Sequence, residues 1–302
     1  MPPAEAALGP PAGAPLVLRG RRFDASRPAV MAVVNRTPDS FYPAARHGLA
    51  AALERLEDAL AEGADIVDVG GVRAGQQGEW VDAEQEVARV RPFLEAARRA
   101  HPEALLSLDT WRSEVAHACN GLVDLVNDTW AGHDPELVTE AARQGCGYVV
   151  SHTGGLPPRT DPQHVTYGPD ADDVVADVLA GLTAGARRAV AAGVAPEAVL
   201  VDATLDFGKT TAHSLRLVAA TDRIVELGFP VLAAISRKDF IGETLDLPVE
   251  ERLEGSLAAT AVAAWLGAGV FRSHDVRATR RALDMVASIR GDRLPARAER
   301  GC

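Results

Sequence analysis

The chain repeats one pattern eight times along its 302 residues, and this repetition limits the folds open to it. Each repeat is a short, apolar, β-branched run with a polar end, followed by an Ala/Leu-rich amphipathic stretch. The apolar runs are VMAVVN (30–35), IVDVGG (66–71), LLSLDT (105–110), LVNDT (125–129), YVVSHT (148–153), VLVDA (199–203), VLAAIS (231–236) and VFRSHD (270–275). Near-continuous apolar runs indicate parallel strands that are buried on both faces. Stretches such as 49–63 and 172–193 are typical of helices, and Gly closes several of them.

Alternation of this kind predicts either a closed barrel or an open, doubly wound sheet. Eight units in roughly 250 residues favour the closed form, an α/β (β/α)8 TIM barrel, and no GxGxxG follows the first strand. Ahead of that strand, LVLRGRRFDASRPAV alternates around Gly20 and predicts a hairpin that caps one end of the barrel. We expect a disordered tail at 1–14, the barrel at 15–290 and a basic tail at 291–302.

Composition excludes several classes of partner. A net charge of -11 argues against nucleic acid, and no apolar run approaches the ~20 residues of a membrane span. Cys119, Cys146 and Cys302 are too scattered for a disulfide framework or a zinc site, so they are interpreted as two packed thiols and a tail residue. The amino terminus lacks the basic and apolar regions of a secretion signal. These features predict a cytoplasmic protein.

Polar side chains collect at the predicted carboxyl ends of the strands, where barrels of this type carry their active sites. They are Asn35, Asp68, Asp109, Asn127, Asp128, His152, Asp202, Ser236, Arg237, Lys238, Arg272 and His274. Asp, Asn and Ser at such positions can also simply cap the helices that follow. Capping does not explain Lys238, Arg272 and His274, because a helix amino terminus favours anions rather than cations. We therefore expect a ligand site.

The residue types also describe a ligand. Asp109, Asn127 and Asp202 offer acceptors suited to a flat heterocycle with amino and ring N–H groups. Arg272 and His274 supply donors at the strand-8 end, where barrels often hold phosphate. Asn35 offers a neutral oxygen to Mg²⁺, which keeps most of its waters and takes few protein ligands. Only 2 of the 31 basic residues are lysines, Lys209 and Lys238, and a lysine retained among arginines marks a site where a guanidinium would not serve.

The order of these motifs resembles that of the dihydropteroate synthases. Residues 35–41, NRTPDSF, are similar to the family signature N-V-T-P-D-S-F, and residues 202–209, DATLDFGK, are similar to D-P-G-x-G-F-G-K. Further matches follow in order at 68–71, 107–110, 127–128, 236–238 and 272–274. The resemblance covers roughly residues 16–290, and the number of ordered matches makes it specific.

The resemblance implies a reaction and a set of contacts. The family joins hydroxymethyl-dihydropterin pyrophosphate to p-aminobenzoate and releases pyrophosphate, with departure of the leaving group before the arylamine attacks. By this resemblance the pterin would contact Asp109, Asn127, Asp202 and Lys238, and Asp109 and Lys238 would be the catalytic residues. Asn35 would bind Mg²⁺, and Arg272 and His274 would bind pyrophosphate. Phe207 and Lys209 would lie beside aminobenzoate, and Arg237 would be among the substrate-binding residues. Family members are also homodimers, which for this chain implies contact through residues 253–270; the alternative is an Ala-rich helix that needs no partner.

The rim of the predicted pocket departs from the family. The family has E-S-T-R-P where this chain has residues 72–76, VRAGQ, and S-D-G-G where it has residues 42–45, YPAA. Arg36 replaces an apolar residue, Asp239 a serine, and Asp206 a glycine near the aminobenzoate side. This pattern is similar to that of a divergent second paralogue in some bacteria, which is considered to lack synthase activity. Each missing electrostatic contact of this type costs about 10²–10³ in rate.

Three hypotheses follow from these residues. The first is a pterin-binding paralogue whose standard activity is weak or lost. The second is an active dihydropteroate synthase, or a transferase that acts on a related pterin. The third, a barrel that binds methyl-tetrahydrofolate, shares the pterin-holding Asp and Asn but is disfavoured by Arg272 and His274, because that ligand carries no pyrophosphate.

Overall fold

The structure is a computed structural model and describes residues 12–36, 48–73, 75, 80–160 and 165–300. Its strands are β1 (Leu16–Leu18), β2 (Arg21–Phe23), β3 (Ala29–Asn35), β4 (Ile66–Gly70), β5 (Leu105–Asp109), β6 (Leu125–Asp128), β7 (Gly147–Val150), β8 (Val199–Asp202), β9 (Val231–Ala234) and β10 (Val270–Ser273). Strands β3 to β10 form one closed parallel barrel in the order β10-β3-β4-β5-β6-β7-β8-β9. The predicted TIM barrel is confirmed. Within the described ranges, no helix has the length and apolar character needed to cross a membrane.

Helices surround the barrel between successive strands. They are α1 (Leu49–Ala61), α2 (Ala83–Ala100), α3 (Ser113–Ala118), α4 (Glu136–Gln144), α5 (Asp173–Ala192), α6 (Thr211–Ala219), α7 (Thr221–Val225), α8 (Asp239–Leu245), α9 (Leu253–Trp265) and α10 (Val276–Arg290). Short 3₁₀ turns cover Pro196–Ala198 and Val249–Glu251. Cys119 and Cys146 are buried free thiols, as the sequence predicted. The predicted amino-terminal tail lies outside the described residues except for 12–14.

The predicted hairpin is formed by β1 and β2, which pair antiparallel. Arg19 and Gly20 both have positive φ (47° and 73°), as the tight turn of a two-residue hairpin requires. Leu16, Leu18 and Phe23 are buried in one apolar cluster with residues from the amino-terminal halves of the barrel strands. The hairpin therefore closes the end of the barrel opposite the predicted site.

Strand alternation decides which side chains reach the barrel interior. Ile66, Leu105, Leu125 and Leu200 belong to an interior cluster, whereas their sequence neighbours pack outward against the helices. Because successive side chains on a strand point to opposite faces, every second residue from these positions also points inward. Counted in the same way, with Met31 and Val270 for β3 and β10, polar inward positions toward the carboxyl ends include Asn35, Asp68, Asp109, Asn127, Asp202, Arg272 and, just beyond β10, His274. The alternation of side-chain direction along each strand thus places polar groups in a ring at one end of the barrel.

Candidate active site at the carboxyl ends of the strands

Asp68 is the central acceptor of the barrel mouth. Its side chain is fully buried. Ser107 Oγ donates to Asp68 Oδ1 at 2.6 Å, and Asn127 Nδ2 donates to Oδ2 at 3.1 Å. Arg272 Nε donates to the same Oδ2 at 2.7 Å. Asp68 therefore fixes three neighbouring side chains at once, although sequence analysis gave it no role of its own.

Asp109 shares the partner Arg272 with Asp68 and has a raised pKa. Its Oδ1 accepts from Thr129 Oγ1 at 2.9 Å, and its Oδ2 accepts from Arg272 Nη2 at 2.8 Å. Burial raises the pKa of Asp109 to about 7; Arg272 opposes this rise and the charge of Asp68 adds to it. A carboxyl group with this pKa exchanges its proton near neutrality, which suits a group predicted to be catalytic.

Arg272 belongs to the floor of the mouth, which consists of the inward side chains Asp68, Asp109, Asn127, Asp202 and Arg272. Its guanidinium bridges Asp68 and Asp109 through two ion pairs of 2.7 and 2.8 Å. The family resemblance predicts this residue on pyrophosphate, together with His274. In the structure its guanidinium pairs with two carboxylates, because the inward direction of β10 at position 272 aims it there, and the pyrophosphate contact stays a prediction. Any phosphate would have to share it with these acids.

Asp202 forms the opposite side of the floor. Its Oδ1 accepts from the backbone N–H of Thr204 at 2.8 Å. Burial raises the pKa of Asp202, whereas the nearby charge of Lys238 lowers it. Lys238 Nζ donates to the carbonyl of Leu205 and lies 4.7 Å from the centroid of the Phe207 ring. The ammonium of Lys238, which follows β9, therefore contacts the loop after β8 and makes a cation–π contact there.

Lys209 has a different environment from Lys238. It is 4% exposed, and its Nζ donates to the carbonyls of His152 (2.7 Å) and Phe207 (2.8 Å). Burial lowers the pKa of Lys209 to about 7, although the charge of Asp202 raises it. These contacts tie the β8 loop to the end of β7. Lys209 was predicted beside the aminobenzoate position, and its amine is here committed to the backbone.

A row of aromatic rings supports Phe207 from behind. Trp111 and Trp130 meet edge to face at 6.5 Å, and Trp130 meets Phe207 in the same way at 5.4 Å. Asp128 fixes Trp130 by accepting from its backbone N–H at 3.0 Å. Sequence analysis missed both tryptophans, although Asp-Thr-Trp begins at the last residue of both β5 and β6, at 109–111 and 128–130. That repeated triplet was the available signal.

The outer part of the mouth carries Asn35 and His274. Asn35 is exposed at the end of β3. The backbone N–H of His274 donates to Ser236 Oγ at 3.3 Å, and its carbonyl accepts from Arg55 Nη2 at 2.8 Å. Partial burial, and then the charges of Arg272, Arg237 and Arg55, lower the pKa of His274. Arg55, on α1, is a cation of this region that sequence analysis did not identify.

Arg237 serves the architecture of the mouth. Its Nε and Nη2 donate to Asp275 at 2.8 and 2.9 Å. Its Nη1 donates to the carbonyls of Val249 and Glu250, both at 2.8 Å. All three nitrogens of the guanidinium thus have partners within the protein. The bidentate pair with Asp275 turns the side chain toward the loop after β10 and favours a positioning role, while the ligand contact of Arg237 stays a prediction.

The side chain of His152 does not face the mouth, although the sequence places this residue at a strand end. It is buried, and its Nε2 lies 2.7 Å from Asp177 Oδ1 on α5. Its ring packs so closely on α5 that a Cβ at Gly181 would come within 2.8 Å of His152 Cδ2. Position 152 falls on the outward face of its strand, since the outward cluster includes Tyr148 and Val150. His152 is therefore part of the barrel–helix packing.

Three arginines hold the rim segment that follows β4. Arg89 Nη1 donates to the carbonyl of Gly71 at 3.0 Å, and Arg112 Nη2 to that of Val81 at 2.7 Å. Arg159 Nε donates to the carbonyl of Gly75 at 3.1 Å. The other rim positions singled out in the sequence, 37–45, 74 and 76, lie outside the described residues. Arginine side chains thus hold the backbone carbonyls at both ends of this segment, at Gly71 and Val81.

Comparison with known proteins agrees with this site. The family model described as pterin binding enzyme matches residues 31–274. The "Inactive dihydropteroate synthase 2" of Mycobacterium leprae is 53% identical over 287 residues, which are 94% of this chain and 98% of that protein. The dihydropteroate synthase of Coxiella burnetii, solved in complex with pteroic acid, is 31% identical with a TM-score of 0.81, and the match covers 91% of this chain and 98% of that one.

A second solved structure extends the comparison to another ligand. The dihydropteroate synthase of Xanthomonas albilineans, solved with 4-aminobenzoic acid, is 35% identical with a TM-score of 0.81. The match covers 92% of this chain and 98% of that one. The shared barrel, the ordered motifs and the family match all agree. The chain belongs to the pterin-binding enzyme family, among the dihydropteroate synthases and their inactive paralogues.

Proposed function

We propose that this barrel binds hydroxymethyl-dihydropterin pyrophosphate in its mouth and that the standard condensation with p-aminobenzoate is weak or lost. The observation that carries the proposal is the inward ring formed by Asp68, Asp109, Asn127, Asp202 and Arg272. The relatives solved with pteroic acid and 4-aminobenzoic acid share this fold and most of this chain's length. Hydroxymethyl-dihydropterin pyrophosphate and p-aminobenzoate are therefore the two ligands to test with this chain.

The floor is suited to the pterin ring. Asp109 and Asp202 face the same interior from β5 and β8 and offer carboxylate oxygens to the amino and ring N–H groups of the heterocycle. Asn127 would add both a donor and an acceptor beside them. Lys238 would donate to the carbonyl and ring-nitrogen edge from the β9 side. Each of these groups is held by a hydrogen bond, an aromatic contact or the strand itself, so the floor is preorganised for a flat ring.

The pyrophosphate would lie toward the outer mouth. His274, Arg55 and the shared guanidinium of Arg272 are the donors and charges on that side, near the end of β10. Asn35 fits Mg²⁺ as a single neutral oxygen ligand, and the part of the chain that the structure describes has no cluster of three His, Cys, Asp or Glu side chains that would demand a different metal. Bound Mg²⁺ would neutralise charge on the departing pyrophosphate.

The proposal of weak activity rests on charge changes at the rim. The family residues E-S-T-R-P after β4 are absent, and Asp206 and Asp239 add negative charge beside Lys238. The 53% identical relative from Mycobacterium leprae bears the name of an inactive enzyme. The alternative, an active synthase or a transferase on a related pterin, is favoured by the intact floor. In that case Asp109 would stabilise the pterin-methyl cation that forms as the C–O bond to pyrophosphate breaks.

The proposal includes a homodimer through α9 and α10. These helices pack on each other, and their outer surface carries Val262 (47% exposed), Met285 (61%) and Ile289 (50%). Exposed large apolar side chains on two helices that pack together favour an interface there. Sedimentation velocity would detect the dimer, and Ile289→Glu should convert it to monomer, whereas Arg277→Glu on the same helix should leave it intact.

Two measurements test the proposed function. Calorimetry with hydroxymethyl-dihydropterin pyrophosphate and Mg²⁺ should show binding, and an absence of binding at millimolar ligand would refute the pocket. Pyrophosphate release in the presence of p-aminobenzoate should be slower than that of an active synthase by at least ~10². Release at an ordinary enzyme rate would instead establish the active-synthase alternative. The two results are independent, because binding does not require turnover.

A further inference from the structure

The loop after β8 keeps a left-handed backbone at two positions where this chain has no glycine. Thr204, Asp206 and Gly208 all have left-handed φ values of 54°, 71° and 63°. In the dihydropteroate synthase motif D-P-G-x-G-F-G-K, the first two of these positions are glycine. A left-handed conformation costs an L-residue about 1–2 kcal/mol, and more when it is β-branched. The two substituted side chains must therefore supply contacts that keep the loop in this shape.

Both side chains do so. Thr204 Oγ1 accepts from the backbone N–H of His152 at 3.0 Å, which joins the ends of β7 and β8. The carboxylate of Asp206 accepts from Ser214 Oγ on α6 at 3.2 Å and from the backbone N–H of Asp239 at 2.8 Å. The charge of Asp206 is thus fixed at one place between α6 and the start of α8. The chain has kept the loop of its family and has added an anion to it.

This anion stands beside the cation that faces the pocket. Lys238 Nζ contacts the residues on either side of Asp206, through the carbonyl of Leu205 and the ring of Phe207. The donors to the Asp206 carboxylate given above are a hydroxyl and a backbone N–H, and within the described residues no salt bridge to this carboxylate is seen. Asp239, the other added acid, differs because Arg252 Nη1 lies 2.8 Å from its Oδ1. Of the acids near Lys238, Asp206 has the largest effect on its pKa and raises it more than Asp202 or Asp239 does, against the lowering by burial.

We propose that Asp206 determines the charge of the second ligand: the position beside Phe207 and Lys238 takes a neutral or cationic aromatic amine and rejects one that bears a carboxylate. This inference rests on the proposed pterin pocket and concerns its other half. Lys209 is not free to bind an anion directly, because it is 4% exposed and its amine donates hydrogen bonds to two carbonyls. At an effective dielectric constant near 20, one added charge at the wall of a pocket alters affinity by about tenfold or more.

A series of ligands of equal shape and different charge tests the inference. The ligands are p-aminobenzoate, p-aminobenzamide and p-aminobenzamidine, titrated by calorimetry into full-length protein with and without the pterin pyrophosphate. The wild type should bind the neutral or cationic compound at least about tenfold more tightly than the benzoate. Asp206→Asn keeps an amide oxygen and tolerates positive φ, so it should reduce this preference about tenfold. Asp206→Gly should do the same and also remove backbone strain.

A matched control separates charge at the pocket from a general effect. Asp246 has a φ of 55° at the exposed carboxyl end of α8, so Asp246→Gly removes the same charge and the same strain elsewhere on that helix. Asp246→Gly should leave the preference for neutral or cationic ligands over the benzoate unchanged. Equal affinity for all three ligands, no binding of any of them to any variant, or a preference that both Asp206 variants leave intact would overturn the inference. Loss of pterin binding with the charge preference intact would refute the proposed function alone.

Discussion

Arg272 Nη2 lies 2.8 Å from Asp109 Oδ2 and joins β10 to β5 across the barrel mouth. These strands are not neighbours, since β3 and β4 lie between them in the barrel order. The same guanidinium contacts Asp68 at 2.7 Å, so one cation is shared by two acids of the floor. The floor is therefore a linked charge system, and a change at one member alters the others.

Loss of this cation should be costly to the fold. Arg272→Gln leaves the fully buried Asp68 without a charged partner. Breaking a buried pair in this way costs about 3 kcal/mol, because an uncompensated charge stays inside. We expect a fall of that size in the free energy of unfolding measured with urea. Arg277→Gln, on α10 with a 64% exposed side chain, should cost less than about 0.5 kcal/mol. A similar small loss for both variants would contradict the linked floor.

The pKa of Asp109 predicts a pH dependence of ligand binding. Pterin N–H groups donate to the ionised carboxylate, and burial holds the pKa of Asp109 at about 7. Affinity for the pterin pyrophosphate should therefore rise with pH up to about 7 and then level off. Asp109→Asn should bind more weakly at pH 8 and should lose this dependence. Calorimetry between pH 5.5 and 8.5 measures both curves, and parallel curves would assign the titration to another group.

The same pKa has a consequence for stability that needs no ligand. In the unfolded chain Asp109 titrates near ~3.9, so between that pH and about 7 the folded state binds more protons than the unfolded state. The contribution of Asp109 to the free energy of unfolding is largest at acidic pH and declines as the pH rises through this window. Asp109→Asn should remove that decline. An unchanged pH profile of unfolding in the variant would contradict the raised pKa.

The fold could be predicted from the sequence in detail, and the partners of the site residues could not. Hydrophobic runs alone place every barrel strand, because burial on both faces leaves a continuous local signal. The same alternation aims Asp109, Asn127 and Asp202 inward. The destination of a long side chain depends on residues far away in the chain: Arg272 meets an acid 163 positions earlier. Arg237 likewise ends on Asp275, and nothing in the run Ser-Arg-Lys indicates which of its cations faces the ligand.

The two lysines should respond differently to truncation. Lys238→Ala removes the ammonium that lies over Phe207 at the pocket, so affinity for the pterin pyrophosphate should fall at least about tenfold with little change in stability. Lys209→Met removes two hydrogen bonds to buried carbonyls, at a cost of about 2 kcal/mol in the free energy of unfolding. Its effect on affinity should be smaller than that of Lys238→Ala. Calorimetry and urea unfolding on both variants separate the roles, and the reverse order would contradict them.

Arg237 and Asp275 should be coupled energetically, since their bidentate pair joins the ends of β9 and β10. We expect a double-mutant cycle with Arg237→Ala and Asp275→Ala to give a coupling free energy above about 1 kcal/mol, as in close, partly buried charge pairs. Arg237→Lys should not restore full stability, because an ammonium cannot reproduce the two parallel bonds and the contacts to Val249 and Glu250. If Arg237 instead contacted ligand, Arg237→Ala would lower affinity while the cycle showed additivity. Urea unfolding of the four cycle proteins, with calorimetry on Arg237→Ala, distinguishes positioning from binding.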